Sequence, residues 1–179
     1  YQMVFNSQTK KRLTVHEGWD GYAVWSPDAK KIIFDREDAP GGQKRPWVMR
    51  MDDFTITPLG KFEGSLSVSD WSDDDRLLGF HEVTGQRDLV LLDVDGNIVE
   101  KITNTSGHSE HDAHFSPDGL RVAYANGVID GTDTSLELID LETGNKTILH
   151  TSIGRIYGIS WSPDGEEIAF VDAPDGEDD

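Results

Sequence analysis

The sequence predicts an all-β fold, a β-propeller built of four-stranded antiparallel blades. One ten-residue phrase occurs four times: an aromatic residue, a tight turn and a short apolar strand, starting at Trp25, Trp71, Phe115 and Trp161. Its copies recur about every 45 residues, a period typical of propeller blades with four strands each. No stretch of the chain shows the apolar period of about 3.6 residues that an amphipathic helix would need.

Each phrase predicts a β-hairpin between the first two strands of a blade, A and B. In the Ser-Pro-Asp-Gly turn the Ser side chain caps the turn, Pro presets φ, and Gly takes the positive φ that follows. Two copies depart from this pattern, with Ala29 and Asp75 in place of the glycine, and we expect their hairpins to be less sharply defined. The repeat anchors are Trp25, Pro27, Asp28, Trp71, Asp73, Phe115, Pro117, Asp118, Gly119, Trp161, Pro163, Asp164 and Gly165.

A second recurring unit predicts the outer strands of each blade, C and D, joined by a polar turn. The C strands are expected at 2–5, 47–51, 89–93 and 136–140, and the D strands at 12–15, 55–59, 98–102 and 147–149. The chain thus starts with C and D strands and ends after A and B strands. Pairing of 168–171 with 2–5 would complete the last blade and close a ring.

We therefore expect one domain of four blades, at 20–62, 63–105, 107–152, and 155–179 completed by 1–15. An open arc of four blades would expose two large apolar faces, which favours the closed ring. The alternative is a segment of a larger propeller, because any cut of four periods gives the same set of strands.

The composition is strongly acidic, with 34 Asp and Glu against 16 Lys and Arg and a net charge of −18. This charge disfavours nucleic acid as a partner, since every phosphate would meet a repulsive field. No apolar run approaches the roughly 20 residues needed to cross a bilayer, so no membrane insertion is expected. The charge favours a protein partner with a basic surface, or a cationic ligand, bound less tightly as salt rises.

One segment before an anchor carries residues suited to metal binding. Strand A is innermost in a propeller, so the residues 108–114 should line the axis, and they read His-Ser-Glu-His-Asp-Ala-His. Imidazole and carboxylate are ligands for divalent transition metals, which makes His111, Asp112 and His114 metal candidates. Strand alternation places His108, Glu110, Asp112 and His114 on one side and His111 on the other.

Same-face residues of a strand lie roughly 6.5 to 7 Å apart, too far for all of these ligands to reach one ion. A site would need a residue of another blade, such as Asp70 or His81. The competing interpretation is that hydrogen bonds satisfy these histidines. Two aromatic residues near the start of the first A strand are candidates for a binding surface at one propeller face. The candidate binding residues are Trp19, Tyr22, His108, Glu110, His111, Asp112 and His114.

At WSPD (25–28), FSPDG (115–119) and WSPDG (161–165), the chain resembles the TolB-type propeller repeat, a relative of the WD-type repeat. The resemblance implies a protein-interaction module of the bacterial envelope, hence a periplasmic or extracytoplasmic location. TolB-type repeats commonly carry an acidic residue five positions before the anchor, which Asp20 and Glu110 match. The implied role is structural, in accepting hydrogen bonds from backbone amides of the connection between blades.

Sequence signatures of hydrolases and phosphate-binding loops are missing, including the Gly-x-Ser-x-Gly elbow. We expect a non-catalytic binding or scaffold propeller with no catalytic residue and no required cofactor, although a divalent metal is compatible with 108–114. Two alternatives stay open. One is a lyase or hydrolase with a metal or substrate site at the axis near His108–His114, and the other is part of a larger propeller fused to a peptidase or other catalytic domain.

Overall fold

A computed structural model describes residues 2–4 and 9–174 of the chain, and the side chains of residues 9–173. This part of the chain is all β and contains no helix, hence no helical membrane span. The strands are β1 (Gln2–Val4), β2 (Thr9–Lys11), β3 (Asp20–Trp25), β4 (Lys31–Glu37), β5 (Lys44–Arg50), β6 (Ile56–Pro58), β7 (Ser65–Trp71), β8 (Leu77–Val83), β9 (Gln86–Leu92), β10 (Ile98–Lys101), β11 (His108–Phe115), β12 (Arg121–Val128), β13 (Asp133–Asp140), β14 (Lys146–Trp161) and β15 (Ile168–Pro174).

The strands form successive antiparallel blades. Blade 1 is β3-β4-β5-β6, and blade 2 is β7-β8-β9-β10. Blade 3 consists of β11, β12, β13 and the first half of β14, which is its outermost strand. The second half of β14 is the innermost strand of blade 4 and pairs with β15. The inner strands β3, β7, β11 and β14 contact one another in that order.

The four A–B hairpins form the turn that the repeated phrase predicts. In the first, Ser26 Oγ accepts the Lys31 N–H at 2.9 Å and donates to Asp28 Oδ1 at 2.8 Å. Ala29 and Asp75 adopt φ of 56° and 63°, close to the 70° of Gly119. The two hairpins without the usual glycine therefore form the same turn, although a side chain disfavours this positive φ. The second hairpin is one residue shorter, since Ser72 Oγ accepts the Arg76 N–H instead.

Apolar clusters between blades supply the core. One joins blades 1 and 2 around Ile33 and Trp71, another joins blades 2 and 3 around Phe80 and Phe115, and a third joins blades 3 and 4 around Leu136. Trp71 and Phe115 are 8% and 7% exposed, whereas Trp25 is 46% exposed. The anchor of each later blade therefore packs against the blade before it, whereas Trp25 of blade 1 is largely exposed.

Two predictions about the ends of the arc fail in the described residues. The ring is not closed: β1 pairs only with β2, β15 pairs only with β14, and neither β14 nor β15 contacts β1, β2 or β3. The first D strand lies at Thr9–Lys11 instead of 12–15, because Gln2 pairs with Lys11.

Cationic side chains link successive blades in the described part of the chain. Arg76 stacks on Phe115 of the next blade and Arg121 stacks on Trp161, with guanidinium carbons 5.4 and 5.1 Å from the ring centroids. The corresponding residue before the second strand of blade 4 is Glu167, which offers no cation to Trp25.

Candidate functional site

The inner strands of blades 1, 2 and 3 line a groove of about 370 Å³ along the concave edge of the arc, which we call the axial groove. Each inner strand has a bulge shortly before its anchor, where its register to the second strand shifts. Tyr22 and Asp112 occupy these bulges with φ of 49° and 50°, a strained conformation for residues other than glycine. The groove is lined by Tyr22, Ala23, Val24, Ser67, Val68, Ser69, Phe80, Arg87, His111, Asp112 and His114.

His114 lies between two carboxylates that come from different blades. Its Nε2 donates to Asp112 Oδ1 at 3.3 Å, and its Nδ1 lies 3.7 Å from Oδ2 of Asp70 in blade 2. The hydrogen bond to Asp112 and the proximity of Asp70 raise the pKa of His114 to about 9. His114 is therefore an imidazolium at neutral pH, held in place by both carboxylates.

The same two carboxylates join neighbouring blades through backbone amides. Asp70 Oδ2 accepts the Phe115 N–H of blade 3, and Asp112 Oδ2 accepts the Ile159 N–H of blade 4, both at 2.9 Å. Burial acts to raise the pKa of Asp112, but the bonds from His114 and Ile159 outweigh it and leave the pKa lowered. Both groups therefore already have structural partners.

The predicted metal candidates come together in the groove, but as placed they do not fit a metal centre. The bulge brings His111 to the same groove as Asp112 and His114, against the alternation that placed it on the opposite side. Both ring nitrogens of His111 face carbonyl oxygens, of Ser109 at 3.4 Å and Ile156 at 3.2 Å. A protonated His114 has no lone pair to give a metal. Within residues 9–173, no group of three or more His, Asp or Glu side chains could hold a metal ion.

Two other candidates lie within the blades, outside the groove lining. His108 Nδ1 lies 3.0 Å from Asn126 Oδ1, to which it can donate. Glu110 is fully buried, its oxygens accept no hydrogen bond from the described residues, and burial raises its pKa. The expected bonds to backbone amides are thus absent at Glu110. Among the described residues no backbone amide bonds to Asp20 either, whose carboxylate pairs with the Arg36 guanidinium at 2.8 and 3.0 Å.

The predicted aromatic surface lies at the rim of the groove. Trp19 and Tyr22 meet edge to face, with ring centroids 5.1 Å apart, and Lys44 Nζ lies 4.5 Å from the Trp19 centroid. Tyr22 is 67% exposed and lines the groove, while Trp19 supports it from outside. Aromatic side chains of this kind supply large contact area to a bound segment.

Two charged residues near the groove escaped the sequence analysis. Arg87 lines the groove from strand β9 of blade 2, with its guanidinium carbon 4.2 Å from the Phe80 ring centroid. Asp35 is fully buried between blades 1 and 2, and burial raises its pKa to about 6. Both flank predicted strands, and the available signal was a charge at the edge of an apolar run: Asp35 directly follows Phe34, and Arg87 precedes 89–93.

The sequence of this chain is similar to that of a longer bacterial protein. No protein-family profile matches the chain. An uncharacterized protein of Agrobacterium fabrum is 30% identical in an alignment of length 171; the match covers 86% of this chain and 54% of that protein. The chain thus spans about half the length of this curated relative.

Three solved structures share the architecture at low sequence identity. TolB from Acinetobacter baumannii superposes with a TM-score of 0.76 at 19% identity, over 93% of this chain and 41% of that one. A TolB-like protein from Agrobacterium tumefaciens gives 0.70 at 23% identity, over 88% and 61%. An oligogalacturonate lyase in complex with manganese gives 0.66 at 18% identity, over 91% and 50%. Identities this low establish the fold alone, and that fold is a TolB-like β-propeller.

Proposed function

We propose that the chain is a non-catalytic binding module that holds a segment of a protein partner in the axial groove. The observation that carries this proposal is the engagement of the acid and base groups there. Asp70 and Asp112 bind backbone amides of the next blade and both hold His114, whose pKa near 9 keeps it protonated. A general base needs a pKa near the working pH and a free lone pair, and His114 has neither.

The lining of the groove suits an extended segment. Val24 gives apolar contact, Ser67 and Ser69 are half-buried polar residues, and Tyr22 forms the exposed rim. A volume of about 370 Å³ lies within the range of ligand-binding clefts. Because side chains of three blades contribute, a bound segment would contact all three at once.

The charge of the propeller is concentrated on one face, which supports a partner with a basic surface. The A–B and C–D turns of antiparallel blades lie at the same end of their strands. Together the turns carry fourteen carboxylates and four basic side chains, in residues 26–31, 51–55, 72–76, 93–97, 116–121, 140–145 and 162–167. Such a face attracts a basic partner over a distance that salt shortens, and repels nucleic acid.

The likeness to TolB structures supports an extracytoplasmic location for this module. The alternative function is a lyase with its active site in the same groove, because one structural neighbour is an oligogalacturonate lyase in complex with manganese. The groove residues as placed do not fit a metal, so the binding role has the stronger support.

The test uses ten-residue peptides of matched size whose side chains are cationic, neutral or anionic and which all keep a free C-terminal carboxylate, titrated into the isotopically labelled protein. We expect the cationic peptide to bind most tightly, to shift the amide signals of 22–24 and 67–69, and to weaken between about 50 and about 300 mM salt. Tyr22→Ala should weaken binding about 10-fold, as loss of an aromatic contact does.

The matched control is Tyr157→Ala, because Tyr157 is also exposed on an inner strand but lies outside the groove. Binding that is unaffected by Tyr22→Ala, or shifts confined to other surfaces, would contradict the proposal. Equal affinity for the three peptides would remove the role of charge.

A further inference from the structure

Arg87 places a guanidinium in the axial groove without a partner of opposite charge in contact. Across the residues with described side chains, it forms no ion pair and no hydrogen bond, and its guanidinium carbon lies 4.2 Å from the centroid of the Phe80 ring. Glu82, opposite it on β8, and Asp35 lie near enough to attract the cation. Neither is bonded to it, so the N–H donors of the guanidinium stay available.

Such a group is unusual in a folded chain. Arg side chains that leave solvent are almost always paired, because an unpaired cation loses hydration without compensation. Arg87 is half-buried, and the burial lowers its pKa, although the group stays charged. An unsatisfied polar group of this kind calls for an explanation, and an acceptor supplied by a ligand is one.

The geometry favours one class of acceptor. The guanidinium carbon lies over the Phe80 ring, and no hydrogen bond from the described residues occupies its N–H groups, so a planar carboxylate can accept two of them in parallel. Asp112 lines the same groove and Asp70 borders His114. A phosphate with two negative charges would meet more repulsion from these carboxylates than a singly charged carboxylate.

We propose that Arg87 anchors a carboxylate group of the ligand that occupies the axial groove. This inference rests on the proposed use of the groove, and adds the chemical class of the group bound there. The carboxylate could belong to a peptide C-terminus or to a sugar acid, and the test distinguishes these sources.

The test pairs each carboxylate probe with an uncharged twin. One pair is acetyl-Ala-Ser-Leu with a free C-terminal carboxylate and the same tripeptide as its amide, and the other is glucuronate and glucose. Affinities and the Nε–Hε signal of Arg87 are followed by NMR in the wild type, Arg87→Gln, Arg87→Lys and Tyr22→Ala. Thermal unfolding shows whether each variant is folded. Arg87→Lys keeps the positive charge but removes the paired N–H donors of the guanidinium group.

We expect at least one carboxylate probe to bind, to shift the Arg87 signal, and to outbind its uncharged twin. Arg87→Gln should weaken it about 10- to 100-fold, as loss of a charge-assisted bond does, and Arg87→Lys less. The member that binds identifies the source of the carboxylate. The inference is overturned if no carboxylate probe binds, or if Arg87→Gln leaves its affinity unchanged.

The two proposals fail in different ways. Equal binding of the tripeptide acid and amide, weakened by Tyr22→Ala but not by Arg87→Gln, would keep the groove as the binding site and reject Arg87 as the anchor. If the affinity of a carboxylate probe falls in Arg87→Gln but is unchanged in Tyr22→Ala, Arg87 remains the carboxylate-binding residue. Such a result would count against a peptide segment that lies along the groove.

Discussion

Asp70 in blade 2 accepts the backbone N–H of Phe115 in blade 3, with a distance of 2.9 Å from the amide nitrogen to Oδ2. The same oxygen lies 3.7 Å from Nδ1 of His114. Asp112 makes the corresponding link from blade 3 to the Ile159 N–H of blade 4. Neighbouring blades are thus joined near the axis by charge-assisted hydrogen bonds as well as by apolar packing, and such bonds are stronger than neutral ones.

The Asp70 link predicts the effect of Asp70→Asn. The amide keeps an oxygen that can accept the Phe115 N–H but loses the charge, so we expect unfolding in urea to be easier by about 1–2 kcal/mol. The pKa of His114, raised to about 9 in the native protein, should fall toward its ordinary value and can be followed by NMR. Asp73→Asn is the control, because Asp73 is exposed in the adjacent turn. An unchanged pKa of His114 would contradict this arrangement.

His114 also predicts how stability depends on pH. Its folded pKa, about 9, lies above its unfolded value near 6.5, so the native state holds the proton more tightly. The stabilisation is complete below about pH 6.5 and is lost as the pH rises through about 9. We expect the urea midpoint of the wild type to fall across this range and that of His114→Gln to fall less. His81→Gln, which changes a histidine whose Nε2 lies 2.8 Å from the Glu63 carbonyl oxygen, should behave like the wild type.

The A–B turns predict opposite effects for two exchanges between alanine and glycine. Ala29 adopts φ of 56° and Gly165 φ of 71° at the same position of their turns. A left-handed conformation costs a residue with a Cβ about 1–2 kcal/mol, so Ala29→Gly should raise stability by roughly 0.5–1 kcal/mol after the added unfolded-state entropy of glycine. Gly165→Ala should lower it by about 1 kcal/mol or more.

Thermal or urea unfolding measures both exchanges. Gly165 is a clean site, because an added Cβ would lie 3.5 Å from its nearest neighbours, an ordinary contact. Its effect therefore reports backbone conformation alone. A rise in stability for Gly165→Ala would mean that the turn is not left-handed there.

The sequence was sufficient for features that local chemistry determines. The Ser-capped turns after Trp25, Trp71, Phe115 and Trp161 identify the A–B hairpins, because Ser, Asp and Gly at those positions bond only with their neighbours in the chain. The anchors and the apolar B strands then give the all-β fold and its repeat. Most of the C and D strands follow from their alternation with polar turns.

Features that depend on long-range packing were not predictable. The bulges at Tyr22, Asp112 and Gly158 share no residue type, so strand alternation misplaced His111 relative to Asp112. Arg87 reaches the groove from a C strand, which a one-dimensional repeat assigns to the outer part of a blade. Closure of the ring would require the first and last blades to pair and to fit together. The number of strands in the sequence does not show whether they do.

The stacking between blades predicts the effect of Arg121→Ala. The guanidinium of Arg121 lies over the Trp161 ring of blade 4, and its Nη2 donates to the Gly165 carbonyl at 3.2 Å. Removing both contacts should lower stability by about 1–2 kcal/mol. Arg155→Ala, at an exposed arginine of β14, serves as the control and should change stability little. Equal effects of the two variants would show that the stacking adds nothing beyond a surface charge.

Asp35 gives the last prediction, which concerns a carboxyl group that destabilises the native state at neutral pH. Asp35 is 0% exposed, lies beside Ser67 and Val68 of blade 2, and neither of its oxygens accepts a hydrogen bond from the described residues. Burial raises its pKa from 3.8 to about 6, an effect that the neighbouring Ser67 hydroxyl and Val68 amide, and then the attraction of Arg87 and Lys44, only partly offset. The native state therefore favours the protonated form.

The sign of the effect follows from linkage. With a folded pKa above the unfolded one, the contribution of Asp35 is most favourable below about pH 3.8 and is lost as the pH rises through about 6. Asp35→Asn cannot ionise, so it should match the wild type near pH 4 and exceed its stability by roughly 1–3 kcal/mol at about pH 7.5, since each pKa unit corresponds to about 1.4 kcal/mol. Asp130→Asn, at an exposed turn, should change neither value. If Asp35→Asn is instead less stable at about pH 7.5, the attraction between Asp35 and Arg87 outweighs the burial of the carboxylate.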